Sequence, residues 1–179
     1  MLRLKKYSYR FAEQILNSKF SLKEELEGIL TDPSIDPSKL TKQYFNQLLD
    51  DKFVNRGWDR QPYIFNNEND SEESSDSGNN LYTKMDFYKD RVGVEVAFTH
   101  SSYMGIDLLK FQVASYSNVN KIDVGVYIVA TKNFQKQLVN KEKGMNWGGA
   151  TITFEKVEKY LPHYRSAIHV PIYVLGIDI

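Results

Sequence analysis

The pattern of apolar and polar positions predicts a helical beginning for the chain. Apolar residues recur at helical spacing between residues 7 and 31, and Ser21 is placed to cap a second segment. A turn-rich stretch at residues 31–38 interrupts this pattern, which resumes between residues 39 and 53. Residues 1–65 are therefore expected to form a helical N-terminal part.

The segment at residues 66–80 has a different composition. It contains five acidic residues, no basic residue and no apolar residue. Such a segment cannot bury enough apolar surface to order itself, so a mobile surface loop is expected here.

From residue 81 onwards the pattern favours alternating strands and helices. Val92, Val94 and Val96 alternate with other residues at the period of two that marks a strand. The order predicted for residues 81–179 is β-β-α-β-α-β, which is an α/β fold with a mixed central sheet flanked by helices. The later elements of this order are a largely buried helix at residues 100–116, a central strand at 122–130, a helix at 154–161 ended by Pro162, and a last strand at 170–179.

Composition restricts the chemistry of this single predicted domain of 179 residues. The absence of cysteine excludes a disulfide scaffold, thiol catalysis and thiolate zinc sites. No apolar segment approaches the roughly 18 residues of a membrane span, and no phosphate-binding G-x-x-x-x-G-K-[ST] motif occurs. We therefore expect a cytoplasmic protein without a nucleotide cofactor. Because 23 basic and 23 acidic residues cancel, any binding of nucleic acid must rely on local patches.

The stretch from Thr83 to Phe98 predicts a β-hairpin with an acid on each arm. If its turn is centred on residues 89 and 90, the numbers of cross-strand partners sum to 179, so that Lys84 faces Glu95 and Asp86 faces residue 93. Lys84, Asp86, Glu95 and Ala97 then project to one side of the hairpin. Two converging carboxylates suit Mg²⁺, which promotes phosphodiester hydrolysis. The alternative is that both acids are ordinary polar residues on a solvent-facing strand.

The same residues carry a resemblance to a known family. The segment M-D-F-Y-K-D-R-V-G-V-E-V-A-F-T-H at residues 85–100, the apolar helix after it and residues 121–132 resemble type II restriction endonucleases of the BglII and BstYI kind, in the PD-(D/E)XK superfamily. The resemblance implies double-stranded DNA as partner, Mg²⁺ as cofactor, and a homodimer acting on a palindrome with a GATC core. It also implies that Asp86 and Glu95 are metal ligands and that the backbone carbonyl of Val96 supplies a third oxygen.

Ala97 departs from the motif of this superfamily, which usually has a lysine at that position. Three explanations are open: a neighbouring residue has taken over the role of that lysine, the alanine is an inactivating substitution in this sequence, or the protein has lost catalysis. Lys84 is the first candidate for the replacement, because the predicted register places it opposite Glu95. Lys110 on the following helix is the second. The alternative for Lys84 is a plain cross-strand ion pair with Glu95.

A lysine-rich, glycine-bearing stretch after residue 131 is the candidate for contact with DNA. Cationic side chains there would bind phosphates, and amides would read adenine edges in the major groove. A simple solvated loop would have the same composition. The predicted contact residues are Lys132, Asn133, Lys136, Lys141, Lys143 and Asn146.

Taken together, the residues and the resemblance predict a Mg²⁺-dependent, sequence-specific DNA endonuclease in which Asp86, Glu95 and Lys84 are catalytic. A structure-selective repair or junction nuclease is the alternative enzyme. A non-catalytic DNA-binding relative is the alternative from another class, suggested by Ala97.

Overall fold

A mixed β-sheet forms the centre of the molecule. The computed structural model describes residues 1–64, 84–116, 119–139 and 147–179, and within these ranges the sheet has six strands in the order β1-β6-β5-β4-β3-β2. The strands are β1 (Arg3–Tyr9), β2 (Asp59–Arg60), β3 (Phe87–Lys89), β4 (Val92–Val96), β5 (Val124–Ala130) and β6 (Ile172–Asp178). Strands β4, β5 and β6 are parallel, whereas β1, β2 and β3 pair antiparallel with their neighbours. The predicted mixed sheet is thus confirmed.

Helices cover both faces of this sheet. They are α1 (Ala12–Asn17), α2 (Phe20–Leu30), α3 (Lys42–Val54), α4 (Met104–Ser115), α5 (Lys132–Gln137) and α6 (Phe154–Tyr160), with short 3₁₀ turns at Pro37–Lys39, Ser101–Tyr103 and Leu161–Tyr164. One apolar cluster joins α1, α2, α3 and α5 to the first face, and a second cluster joins α4 and α6 to the other. Strand β5 is buried along its whole length, as its continuous apolar run predicts.

The N-terminal part is not purely helical, because residues 3–9 form the edge strand β1. It pairs with β6 from Arg3 opposite Asp178 to Tyr9 opposite Ile172. The prediction of a helix from residue 7 is wrong at this point. Arginine, lysine and tyrosine combine apolar stems with polar ends, so a strand made of them shows no clear alternation, and charged side chains suit an exposed edge.

Two further elements differ from the predicted order. Strand β2 was not predicted, and the connection between β5 and β6 contains two helices rather than one. The additional helix, α5, begins after Thr131, whose hydroxyl accepts a hydrogen bond of 3.0 Å from the Phe134 N–H. Thr131 thus acts as a helix N-cap. The predicted acidic loop at 66–80 lies outside the described residues. In the part that is described, no helix has both the length and the apolar character needed to cross a membrane.

Close packing of α4 against β5 predicts a difference between two glycine substitutions. A methyl group added at Gly125 would lie 2.7 Å from ring atoms of the fully buried Phe111. Gly125→Ala should therefore lower the free energy of unfolding by about 1–3 kcal/mol. Gly28, exposed within α2, has no heavy atom within 4 Å of such a methyl group, so Gly28→Ala should raise that free energy by about 0.5–1 kcal/mol.

Denaturant titration of the three proteins measures both differences. Equal stability of the two variants would show that α4 can move away from the sheet at no cost.

Candidate active site

The hairpin of β3 and β4 has a different register from the predicted one. Phe87 pairs with Val94 and Lys89 with Val92, so that partner numbers sum to 181 rather than 179. The turn residues are Asp90 and Arg91, with φ of 47° and 65°. Positive φ at both central residues is what a two-residue type I′ turn requires.

Contacts of Arg91 explain why the turn forms there. Its guanidinium donates to Asp123 Oδ1 at 2.9 Å and to the Asn120 carbonyl at 3.0 Å, while its own carbonyl accepts a 2.8 Å hydrogen bond from the Asp123 N–H. These tertiary contacts hold Arg91 in a backbone conformation that local propensity does not favour.

This register brings Asp86 to the end of β4. Asp86 lies one residue before β3, and its Oδ2 accepts a 2.7 Å hydrogen bond from the backbone N–H of Val96. Asp86, Glu95 and Val96 all line one cavity of about 340 Å³. The two acids therefore share a site, as the hairpin pattern predicts, although their pairing differs.

Lys110, on α4, provides the cation nearest to Glu95. Its Nζ lies 2.9 Å from Glu95 Oε2, and the two side chains are 10% and 4% exposed. The same ammonium lies 3.9 Å from Asp107 Oδ1, one helical turn earlier. Lys110 thus makes the buried ion pair that the predicted register assigned to Lys84.

The predicted placement of Lys84 opposite Glu95 is wrong. Lys84 forms an isolated antiparallel bridge with Tyr63, and its Nζ lies 4.5 Å from the centre of the Tyr63 ring. The physical reason is the turn at Asp90 and Arg91, which shifts the pairing of the two arms and ends the ladder before Lys84.

Ala97 lies among apolar side chains. It is 2% exposed and belongs to the cluster formed by α4 and its neighbours. A lysine at this position would need to extend its ammonium out of an apolar environment, whereas alanine fits without cost. The position has therefore become part of the core.

Comparison with known proteins identifies the family of this chain. A family model described as restriction endonuclease BglII/BglIII matches residues 4–177 of the chain. The chain belongs to this family. It is accordingly a type II site-specific deoxyribonuclease. No curated protein sequence matches the chain significantly.

Solved structures of BglII share the fold of this family member. Restriction endonuclease BglII complexed with a DNA 16-mer superposes with a TM-score of 0.66 at 18% identity, over 97% of this chain and 77% of that one. Free BglII superposes with a TM-score of 0.62 at 17% identity, over 97% of this chain and 78% of that one. At such identities the likeness concerns the fold.

Restriction endonucleases of this kind generally use a divalent metal ion, and the charges of the cavity fit one. Asp86, Glu95 and Asp107 contribute three carboxyl groups against the single ammonium of Lys110. Glu95 Oε1 is buried and has no hydrogen-bond partner among the residues that the structure describes. Such an oxygen is costly to bury unless a cation binds it. Among the described residues no group of three or more His, Cys, Asp or Glu is arranged as a metal site. Two carboxylates with further oxygens are enough to hold a hard divalent cation.

The pKa values of these acids reflect the excess of carboxyl groups over ammonium groups in the cavity. Burial raises the pKa of Glu95 well above its usual range, and the charges of Asp86 and Asp107 raise it further against the opposing effect of Lys110. Burial also raises the pKa of Asp86, although the Val96 N–H and Lys110 act in the opposite direction. The pKa of Asp107 rises to about 6, again mainly through burial.

Sequence reasoning missed two buried polar residues beside the cavity, Asp107 and Tyr127. The Tyr127 hydroxyl donates a 2.8 Å hydrogen bond to Asp107 Oδ2. One signal was present in the sequence: Asp107 and Lys110, three residues apart, are the only charged residues of the otherwise largely apolar helix α4.

The predicted DNA contacts are only partly within the described residues. Lys132, Asn133 and Lys136 lie exposed on α5, which is a helix rather than a loop. The Asn133 amide already donates to Asp178 Oδ1 at 2.8 Å. The other three predicted contacts, Lys141, Lys143 and Asn146, lie outside the described residues.

The raised pKa values predict that binding of Mg²⁺ releases protons. A raised pKa means that the folded protein holds protons on Asp86 and Glu95 at pH values where free carboxyl groups are ionised, and a metal ion must displace them. Affinity for a divalent metal ion should therefore fall as the pH is lowered from above the raised pKa values of these acids to below them. Calorimetric titration in buffers of different ionisation enthalpy measures the protons released.

Glu95→Gln is the matched control, because it keeps the shape of the side chain but removes the carboxyl group and its proton. Affinity that is independent of pH across this range in the wild-type protein would contradict the expected coupling.

Proposed function

We propose that the chain cleaves double-stranded DNA at a specific sequence in a Mg²⁺-dependent reaction. Asp86, Glu95 and the carbonyl of Val96 hold the ion, in the manner of the PD-(D/E)XK superfamily, and Lys110 takes the role of the usual motif lysine. The observation that carries this proposal is the meeting of both acids and Lys110 in one cavity, where one oxygen of Glu95 is buried without a partner.

Each side chain has a separate task in this proposal. When bound, Mg²⁺ supplies positive charge that stabilises the oxygens of the phosphodiester as negative charge develops on them. The Val96 N–H holds Asp86 in place through Oδ2. Lys110 offsets the charge of Glu95 and donates hydrogen bonds that orient the attacking water. Burial of Lys110 would lower its pKa, but Glu95, Asp107 and Asp86 outweigh that effect and raise it. Lys110 therefore acts as a charged donor rather than as a base.

This assignment removes the ground for a non-catalytic relative. That alternative depended on Ala97, which leaves the usual lysine position without a cation. Lys110 brings an ammonium within 2.9 Å of the same glutamate from a different element. No observation favours a branched substrate over a regular duplex, and the similar BglII structure complexed with a DNA 16-mer supports DNA as the partner.

The assembly and the target sequence follow from symmetry and resemblance. A palindromic duplex has two equivalent scissile phosphates, so one site per chain requires two copies of the chain related by a two-fold axis. We therefore propose a homodimer on DNA, acting in the cytoplasm. The resemblance to BglII and BstYI enzymes is the ground for proposing a GATC core in the target.

Two lysines near the cavity are proposed to bind the DNA backbone. Lys42 Nζ lies 3.2 Å from Thr151 Oγ1, and Lys156 Nζ lies 3.0 Å from the Thr151 carbonyl. Thr151 forms an isolated antiparallel β-bridge with His100, and the N–H of the next residue, Ile152, donates a hydrogen bond to the Thr99 carbonyl. Thr99 is one of the residues that line the cavity. The cation pair is thus close to where the scissile phosphate would lie.

The charge around these lysines suits an anion. Both side chains are half-buried, and the ion pairs of the described residues involve neither of them. Burial alone lowers the pKa of Lys42. Two cations converging on one threonine are stabilised when a phosphate binds between them.

The proposed function predicts different outcomes for two lysine substitutions. Wild-type protein with Mg²⁺ should cut phage DNA into discrete fragments, and Asp86→Ala should abolish cutting. Lys110→Ala should lower the single-turnover cleavage rate by about 10²–10³-fold, the range for loss of one preorganised hydrogen-bond donor at the reacting group. Lys84→Ala should change the rate little, because Lys84 contacts Tyr63 and not Glu95.

Binding to the same DNA in Ca²⁺ is the control, and it should remain near normal in Lys110→Ala. Mapping of the fragment ends tests the GATC core. Full cleavage by Asp86→Ala would refute the metal site, and a large loss of rate in Lys84→Ala would return the catalytic role to that residue.

The lysine pair predicts a change in the salt dependence of binding. Lys42→Ala and Lys156→Ala should each make the negative slope of log affinity against log salt concentration shallower by about 0.9, the value for one neutralised phosphate. Fluorescence anisotropy with duplex DNA in Ca²⁺ measures this slope. Lys159→Ala is the matched control on α6, where Lys159 is exposed and its ammonium lies 5.2 Å from the Tyr160 ring centre.

Slopes identical to the wild-type slope in both test variants would show that the pair does not contact phosphate. Lys132→Ala and Lys136→Ala in the same assay test the contacts predicted on α5.

A further inference from the structure

A chain of buried polar contacts extends from the proposed active site into the centre of the sheet. The hydroxyl of Tyr127 donates to Asp107 Oδ2 at 2.8 Å, Asp107 Oδ1 lies 3.9 Å from Lys110 Nζ, and Lys110 Nζ lies 2.9 Å from Glu95 Oε2. We propose that Tyr127 and Asp107 are positioning residues that hold the Lys110 ammonium at Glu95. This inference rests on the proposed role of Lys110.

Tyr127 is unusual for its position. It is fully buried in the middle of β5, where it is the only residue with a polar side-chain atom in the sequence V-G-V-Y-I-V-A. A phenylalanine would fill nearly the same space. The hydroxyl therefore matters through its contact with Asp107, which is itself only 8% exposed.

The sheet register places this hydroxyl behind the site. Tyr127 pairs with Glu95 across the parallel strands β4 and β5, so both side chains project from the same face of the sheet. Asp107 and Lys110 are one turn apart on α4, which packs on that face. The four residues thus come from two adjacent strands and one helix.

Lysine needs such support more than most residues. Its ammonium is carried on a flexible four-carbon stem and has no preferred direction of its own. The hydrogen bond from Tyr127 fixes one oxygen of Asp107, which leaves the other oxygen towards Lys110. Burial, together with the charge of Asp107, raises the pKa of Tyr127 well above its usual value, so the hydroxyl remains a donor.

An ordinary explanation is that Tyr127 and Asp107 only satisfy each other within the core. That explanation predicts that loss of the hydroxyl changes stability and leaves the rate of cleavage as it was. Positioning predicts that the rate falls, and that it falls only while Lys110 is present.

A double-mutant cycle between Tyr127 and Lys110 separates these explanations. Tyr127→Phe should lower the single-turnover cleavage rate in Mg²⁺ by about 10-fold, the effect of one hydrogen bond in a charged network. Affinity for DNA in Ca²⁺ should be unchanged. In the Lys110→Ala background, Tyr127→Phe should cause no further loss, because residues that act as one unit are not additive.

Tyr173→Phe is the matched control. Tyr173 is also a buried tyrosine, and its hydroxyl donates to Glu27 at 3.0 Å, on the opposite face of the sheet. This substitution removes the same atom and should change thermal stability without changing the rate of cleavage.

Each outcome of the cycle is decisive. Equal losses from Tyr127→Phe in both backgrounds, or no loss in either, would overturn the positioning role while the proposed function remains. A wild-type cleavage rate in Lys110→Ala would refute the role of Lys110, and this inference with it. If Tyr127→Phe does not fold, as judged by circular dichroism, Asp107→Asn takes its place in the same cycle with the same expected non-additivity.

Discussion

Burial of the Glu95 carboxylate is the constraint on which the arrangement of this region depends. Glu95 is 3% exposed near the end of an interior strand, and within the described part of the chain one of its oxygens has no hydrogen-bond partner. A buried carboxylate without sufficient positive charge around it costs several kcal/mol, so Glu95 ionises only as far as its surroundings supply that charge. Lys110 supplies part of it, but Asp86 and Asp107 add further negative charge to the same cavity. The remaining imbalance is what a divalent cation relieves.

The sheet and its helices are packed so that this charge can be partnered. Strands β4 and β5 run parallel, and helix α4 covers the face from which Glu95 projects. Gly125 allows the ring of Phe111 to approach the backbone of β5 closely, since any side chain there would overlap it. That close approach brings Lys110, in the same turn of α4 as Phe111, within 2.9 Å of Glu95. The packing of the core therefore also determines the geometry of the site.

Secondary structure was predicted correctly wherever one clear pattern of apolar residues was present in the sequence. The apolar run of β5, the alternation in β4 and the apolar circumference of α4 each predict the observed element. The register of the hairpin was not predictable, because its turn depends on contacts between Arg91 and distant residues. Strand β1 was missed because an edge strand of lysine, arginine and tyrosine carries no clear alternation. The predicted convergence of Asp86 and Glu95 was correct although the predicted register was wrong. The observed pairing is shifted by two residues, and a shift of two keeps both side chains on the same face of the hairpin.

The proposed role of Lys110 would place the cation of the site on a helix rather than on the strand that usually carries the lysine of the motif. A motif records neighbours along a strand, whereas the chemistry requires only that an ammonium lie near the carboxylates. Here Ala97 lies in the apolar cluster, and the ammonium paired with Glu95 belongs to Lys110 on α4. A lysine on β4 would be placed by the strand pairing alone, but a lysine on α4 is placed by how the helix packs on the sheet. For this chain, the position of the cation therefore depends on the side chains beneath α4, so that changes in this part of the core act on the site as well as on stability.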